Sequence, residues 1–324
     1  MYSKLIFGMA KRFYPKVVFI ILNWNNWKDT VECLESVSCV DYPNFDVVVV
    51  DNGSNNDSVN QIKKIFDSVT LIEINENLGF AGGCNVGMKY AVKKGDDIIF
   101  LLNSDTIIEK DALNILVEVA EKHPKVGLLS PKIYFYNRDP ENRKIWFGGS
   151  KLNSLLGRTV MLGYGKVDRG QYDKEKFVDF ISGCAMVIKA EVFNKIGFFD
   201  TDYFNIFEDA DYCVRAKNAG YDCIYVPKAV VHHKESMSIG SIYSPLSVYF
   251  QIRNRLLFIK KNVKKKWLPF SVIAVLLSFF KRIFQLILKR KLLSLRAFKF
   301  AIYDFFTLNF NKGSLSQLLQ KSGY

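Results

Sequence analysis

Val17-Val18-Phe19-Ile20-Ile21-Leu22-Asn23-Trp24-Asn25 runs from six apolar residues, mostly β-branched, straight into a polar turn. The cadence recurs as far as residue 110. Phe45 to Val50 leads into Asp51-Asn52-Gly53-Ser54, Thr70 to Ile74 into Asn75-Glu76-Asn77, and Asp97 to Leu102 into Asn103-Ser104-Asp105. Between these runs, residues 27–38, 56–67, 82–94 and 109–122 carry the spacing of amphipathic helices. Near-continuous Val, Ile and Leu strands joined by crossover helices predict a parallel sheet covered on both faces. The expected fold class is α/β, an architecture suited to a nucleotide at the sheet edge.

Further along the pattern loosens. Strands are expected over 126–134, 145–150 and 184–189, with a polar surface loop from Asn137 to Arg143. A helix is expected from Glu208 to a cap at Gly220, then a strand from Asp222 to Val226. The 324 residues hold 45 Lys and Arg against 32 Asp and Glu, a formal charge of +13. Residues 251–324 hold 16 of those bases against one acid, Asp304, leaving 29 bases against 31 acids in the rest. The basic excess therefore belongs to the C-terminal segment.

That segment alternates apolar runs with Lys and Arg clusters. From Trp267 to Phe280 there are 14 residues without a charge, fewer than the ~20 that cross a bilayer as a helix. An interfacial or re-entrant helix on an anionic membrane surface is the reading that composition favours; a helical subdomain packed on the core is the alternative. Nucleic acid is not the expected partner, because a stacking groove has no use for aliphatic runs such as Val272 to Leu277. The expected division is a catalytic-type α/β domain over 1–255 and a basic amphipathic helical region over 256–324.

Six cysteines at irregular spacings, with no C-x-x-C pair, predict reduced and buried thiols. Leu5 to Ala10 is too short for a signal-peptide core, and no export is expected.

Ligands of open parallel sheets bind beyond the carboxyl ends of the strands, where the polar turns lie. The stretch Gly79-Phe80-Ala81-Gly82-Gly83-Cys84-Asn85-Val86-Gly87 cannot be threaded as G-x-G-x-x-G, and no phosphate loop of the G-x-x-x-x-G-K-[ST] type occurs. Dehydrogenase and P-loop chemistries are excluded. The helix opening at this stretch could face a phosphate or pack closely on the sheet. Asp105 suits a hard cation that carries phosphates. His232 and His233 are each a ligand or a buried imidazole. Glu208-Asp209-Ala210-Asp211 is either catalytic or a set of acids favoured by a helix dipole.

Together these segments resemble the inverting glycosyltransferases of family 2, of GT-A fold, and in particular rhamnosyltransferase-like enzymes of surface polysaccharide synthesis. The resemblance extends through Ser182-Gly183-Cys184-Ala185, Gly197-Phe198-Phe199-Asp200, Phe207-Glu208-Asp209-Ala210-Asp211, Arg215, His233 with Ser236 and Ser238, and Arg253-Asn254, covering roughly residues 15–255. It implies a nucleotide-sugar site in which Asp51 meets the base or ribose, Asn23 and Asn85 line the same pocket, and Asn103 and Asp105 stand at the D-x-D motif. Asn103 replaces the first acid of that motif. It further implies a divalent metal, Mg²⁺ or Mn²⁺, on Asp105 and His233, with His232 as the alternative ligand, and Asp209 as general base. Gln251-Ile252-Arg253-Asn254-Arg255 lacks the Trp of the processive Q-x-x-R-W signature, so addition of one sugar is expected. The implied donor is dTDP-L-rhamnose, with a UDP-hexose as the alternative, and the implied acceptor is a saccharide on a polyprenyl diphosphate. The basic segment would then hold the enzyme peripherally at the cytoplasmic face of a bacterial inner membrane. A non-catalytic basic scaffold that binds membrane or nucleic acid is the rival from another class.

Overall fold

The computed structural model describes residues 14–136, 142–235 and 241–314. The chain runs β1 (Val17–Asn23), α1 (Trp27–Ser38), β2 (Phe45–Asn52), α2 (Ser58–Ile65), β3 (Thr70–Ile74), α3 (Gly79–Lys94), β4 (Ile98–Asn103), β5 (Thr106–Ile108), α4 (Ala112–Lys122), β6 (Val126–Phe135) and β7 (Ile145–Phe147). It continues with β8 (Ser150–Asn153), β9 (Arg158–Met161), β10 (Lys176–Val178), β11 (Ala185–Lys189), α5 (Ala190–Ile196), α6 (Glu208–Asn218), β12 (Asp222–His233), α7 (Pro245–Asn262), α8 (Leu268–Leu288) and α9 (Leu292–Phe306).

A ten-stranded sheet is ordered β10-β12-β6-β11-β4-β1-β2-β3, with β5 on β12 and β7 on β6; β8 and β9 form a separate hairpin. The block β4-β1-β2-β3 is parallel, as its apolar runs predict, and β6 and β12 are parallel too. β11 runs antiparallel between β4 and β6 and joins the two parallel blocks. Register places Asn23 beside Asp51 and Leu22 beside Asn103, so the polar turns share one edge.

Helix α3 starts at Gly79 rather than near residue 82. Side chains at Gly83 or Gly87 would overlap Leu22 or Ile20 of β1, which is why glycine stands where this helix crosses the sheet. Its opening N–H groups already have protein acceptors: Leu78 N–H bonds Asn52 Oδ1 (2.9 Å), Gly79 N–H bonds Asn77 Oδ1 (2.7 Å) and Ala81 N–H bonds the Phe204 carbonyl (3.2 Å). Close packing, not a phosphate cradle, explains the glycines.

Other expected boundaries move too: the strand expected over 145–150 ends at Phe147. β12 passes through Pro227 to His233 because the register slips between Val226 and Val230, and a bulge tolerates a proline that cannot donate to the ladder. Helix α8 does not stop at Phe280; it continues through Lys281 and Arg282 to Leu288, 21 residues in all. By length and composition it could cross a membrane, which corrects the sequence-based estimate of a helix too short to span. Of the sequence features named above, Leu5 to Ala10, residues 137–141, Ser236 and Ser238 lie outside the described residues.

The change in composition at residue 255 falls inside the continuous helix α7. Arg253, fully buried, donates to the carbonyls of Asp202 (3.2 Å), Tyr203 (3.1 Å) and Asn311 (2.7 Å) and to the Tyr249 hydroxyl (3.1 Å). Asp304, the lone acid of the basic segment, is also buried and accepts from Tyr249 Oη, Asn309 Nδ2, Ser314 N and Ser314 Oγ. One polar knot thus ties α7, α9 and the 202–206 loop together. Arg253→Leu leaves these carbonyls unpaired and is expected to cost about 3–5 kcal/mol of stability, read as a lowered urea midpoint.

Candidate active site

Asp105 ends the turn after β4, and the next residue, Thr106, opens β5. β5 pairs antiparallel with the end of β12, setting Thr106 opposite His233, and the Lys234 N–H closes the ladder on the Asp105 carbonyl (2.9 Å). This pairing brings Asp105 Oδ1 within 3.2 Å of His233 Nε2, both residues buried. Strand alternation sends His232 the other way, onto the Tyr134 ring (5.8 Å between centroids) and Glu109 (3.0 Å). His232 is therefore not placed to exchange roles with His233.

Burial opposes a charge on His233, but the Cys184 sulfur and the Asp105 carboxylate outweigh it, and the imidazole is pushed up to about 11. Its Nδ1 is buried with no hydrogen-bond partner among the described residues. Two neighbouring ligands on one hard cation, with bonds near 2.1 Å, sit about 3 Å apart. The Asp105–His233 spacing fits that, with the cation taking the place of the shared proton. No group of three or more His, Cys, Asp and Glu side chains able to hold a metal occurs among the described residues. A divalent cation held here would meet one carboxylate and one imidazole and would take its other ligands from phosphates and water.

His233 also lines a cavity of about 470 Å³ together with Asn103, Ser182, Gly183, Glu208 and Asp209. Asp209 stands in the first turn of α6, where Oδ2 accepts from the Gly183 N–H (3.1 Å) and Oδ1 from the Ala210 N–H (2.7 Å). A Cβ at Gly183 would press within 2.9 Å of the Phe80 ring, so glycine lets that ring close the wall beside the acid. Burial raises the Asp209 carboxyl above its ordinary range, with the two N–H groups pulling back. Burial raises its neighbour Glu208 well above the usual carboxylate range, and Glu208 Oε2 has no partner among the described residues. Burial thus raises both acids, but Asp209 has two N–H donors that favour its charged form, those of Gly183 and Ala210.

The loop entering α6 is strained. Phe204, Ile206 and Phe207 have φ of 60°, 68° and 82°, at about 1–3 kcal/mol each. Asn254 of α7 holds it by donating to the carbonyls of Tyr203 (2.8 Å), Asn205 (2.7 Å) and Ile206 (2.7 Å).

At the same sheet edge Asn23 donates to Asp51 (2.7 Å), and Ser54 donates to Asp51 through Oγ (2.6 Å) and N (3.0 Å). Asn85 is not with them. Its amide takes both backbone groups of Phe199, at 2.8 and 2.9 Å, and pins the loop after α5 to α3. A buried asparagine on a helix reads alike for a ligand or a loop clamp, and the sequence carries nothing to separate them. Sequence patterns also gave no sign of Trp146, edge-on to His233 at 4.7 Å, or of Glu235, which accepts from Trp146 Nε1 (2.9 Å) and the Tyr164 hydroxyl (3.0 Å).

Residues 15–256 match the sequence model of a family described as "Glycosyltransferase like family 2". The chain belongs to this family. Among its relatives, the low-salt glycan biosynthesis hexosyltransferase Agl10 of Haloferax volcanii is 24% identical over 80% of this chain and 81% of its own. The N-acetylglucosaminyl-diphospho-decaprenol L-rhamnosyltransferase of Mycobacterium tuberculosis is 26% identical over 64% of this chain and 72% of its own. In three dimensions the chain is similar to GalNAc-T7, crystallised with UDP, GalNAc and Mn²⁺ (TM-score 0.57, 15% identity, 74% of this chain), and to S. aureus TarS (0.54, 18%, 90%). It spans about half of those two chains, 47% and 48%. The likeness establishes the GT-A fold, and the family places the protein among glycosyltransferases.

Proposed function

We propose that the protein transfers a single sugar, with inversion, from a nucleotide-sugar donor to a saccharide on a polyprenyl diphosphate, in surface polysaccharide synthesis. The observation that carries this reading is the meeting of Asp209, Asn103 and His233 around one cavity, with Asp105 behind His233 at 3.2 Å. Asp105 and His233 are the residues that would hold Mg²⁺ or Mn²⁺, and such a cation, when bound, offsets charge developing on the leaving diphosphate. Asp209 takes the proton of the acceptor hydroxyl as that oxygen bonds the anomeric carbon. The bond from that carbon to the donor phosphate breaks on the opposite face, and the electron pair leaves with the nucleoside diphosphate. Because a phosphate leaves readily as an anion, one base suffices. The Asn23–Asp51 pair would take the nucleoside end, on the same sheet edge as Asn103, which lines the cavity.

The favoured donor is dTDP-L-rhamnose, supported by the L-rhamnosyltransferase relative. A UDP-hexose is the second reading, supported by the hexosyltransferase relative. A hydrolysis screen of dTDP-L-rhamnose against UDP-glucose and UDP-N-acetylglucosamine, with the full chain and Mn²⁺, is expected to show fastest turnover of the rhamnosyl donor. Turnover of none of them would overturn the transfer reading.

Peripheral attachment to the cytoplasmic face of a bacterial inner membrane belongs to the same proposal. Its support is the face of α8 and α9 left bare, where Phe280 and Phe306 are 70% and 74% exposed, beside Lys and Arg clusters whose one nearby acid is buried.

A further inference from the structure

A second cavity, of about 630 Å³, adjoins the first and shares Thr159, Ile206, Phe207 and Gln251 with it. Its walls come from the β8–β9 hairpin, α7 and α8. Arg158, Arg255, Lys281 and Arg282 line it, and among the described residues no carboxylate does. Among the described residues the ion pairs of the C-terminal region join Lys261 to Asp200 and Asp202, and Lys312 to Glu76, all elsewhere.

The two best-held cations are fixed by neutral acceptors. Arg255 donates to the Leu156 carbonyl (2.8 Å) and the Ser278 hydroxyl (2.6 Å), and Arg282 to the Ile242 carbonyl (2.5 Å). These bonds orient the guanidinium groups without cancelling their charge. Burial, and then the neighbouring Arg158, lowers the pKa of Arg255, the mark of like charges gathered away from water. Four cations and, among the described residues, no anion suit a multiply charged oxyanion.

Helix α8 adds the second half of the ligand. Its residues Ala274, Ser278, Lys281, Arg282 and Gln285 face the cavity at helical spacing. The adjoining stripe, Ile273, Leu277, Phe280 and Phe284, is 58–70% exposed. A cationic pocket thus sits beside a bare apolar strip on one side and the Asp209 cavity on the other.

We infer that this cavity binds the diphosphate of an isoprenoid-linked acceptor, with its sugar passing the shared wall toward Asp209 and its lipid chain lying along the apolar stripe of α8. The inference rests on the glycosyltransfer reading above and gives the acceptor its place.

Farnesyl diphosphate binding to the detergent-solubilised full chain tests it. Arg158→Gln with Lys281→Gln, both exposed side chains, is expected to weaken binding about tenfold to a hundredfold, with thermal unfolding confirming that the variant folds. Lys265→Gln with Lys266→Gln, the same charge change outside the cavity, is expected to keep wild-type affinity. Farnesol is expected to bind far more weakly, and inorganic pyrophosphate to compete. Unchanged affinity in the first variant, an equal loss in the second, or farnesol binding as tightly as its diphosphate would each overturn the assignment. So would displacement of the probe by phosphatidylglycerol vesicles as effective as that by unlabelled farnesyl diphosphate. Nucleotide-sugar hydrolysis by the wild-type chain reports separately on the transfer reading, so the two can fail independently.

Discussion

Asp209→Asn is expected to lower the transfer rate constant about 10²- to 10⁴-fold, the usual contribution of a positioned base, with little change in donor affinity. The substitution keeps size and shape but removes the lone pair that accepts the proton. Asparagine can answer only one of the two N–H groups, of Gly183 and Ala210, that the carboxylate accepts from. A side effect of about 1–2 kcal/mol on stability is therefore expected, and unfolding curves would separate it from the catalytic loss. The acid limb has a definite sign. Burial raises the Asp209 carboxyl, and the base works only when ionised, so transfer falls as pH drops through a value above the ordinary aspartate range. Transfer at the wild-type rate by purified Asp209→Asn would remove the base assignment.

Asp105→Asn is expected to cost about 10²-fold or more in transfer, the scale of charge stabilisation a cation supplies. The residue spacing survives, since asparagine can still hydrogen-bond His233, whereas the negative charge does not. The decisive readout is donor binding as a function of Mn²⁺: the wild type should tighten with metal and the variant should need far more of it. Identical Mn²⁺ titrations for the two proteins would dissociate Asp105 from any metal role, even if activity fell.

The parallel block was legible because its central strands, β1 and β4 with the second half of β2, are buried on both faces and so carry near-continuous apolar runs. The edge turns followed from it, and Asp105 with them, whereas Asp209 was singled out only by the family resemblance. His233 was harder to place. Pro227 interrupts its strand, and only the bulge from Val226 to Val230 shows that pairing resumes and that alternate residues face opposite ways. The short strands β5, β9 and β10 are held by tertiary pairing, with too few residues to build a period. Helix α8 was cut short on the page because Lys281 and Arg282 look like an end when read linearly. In three dimensions they line the second cavity, on a different face from the apolar stripe. Asn85 was misassigned for a similar reason: composition marks a polar side chain in a core and says nothing of which neighbour it satisfies.

The twisted turn before α6 is kept taut by Asn254 and Arg253, and both belong to the helix on which α9 packs. The turn that leads into Asp209 thus owes its shape to a helix outside the sheet. Were that helix to slip, the turn would uncoil toward ordinary backbone geometry and swing Asp209 off target while the sheet stayed whole. A chain cut before α7 is therefore expected to lose the shape of this turn even where the sheet still folds.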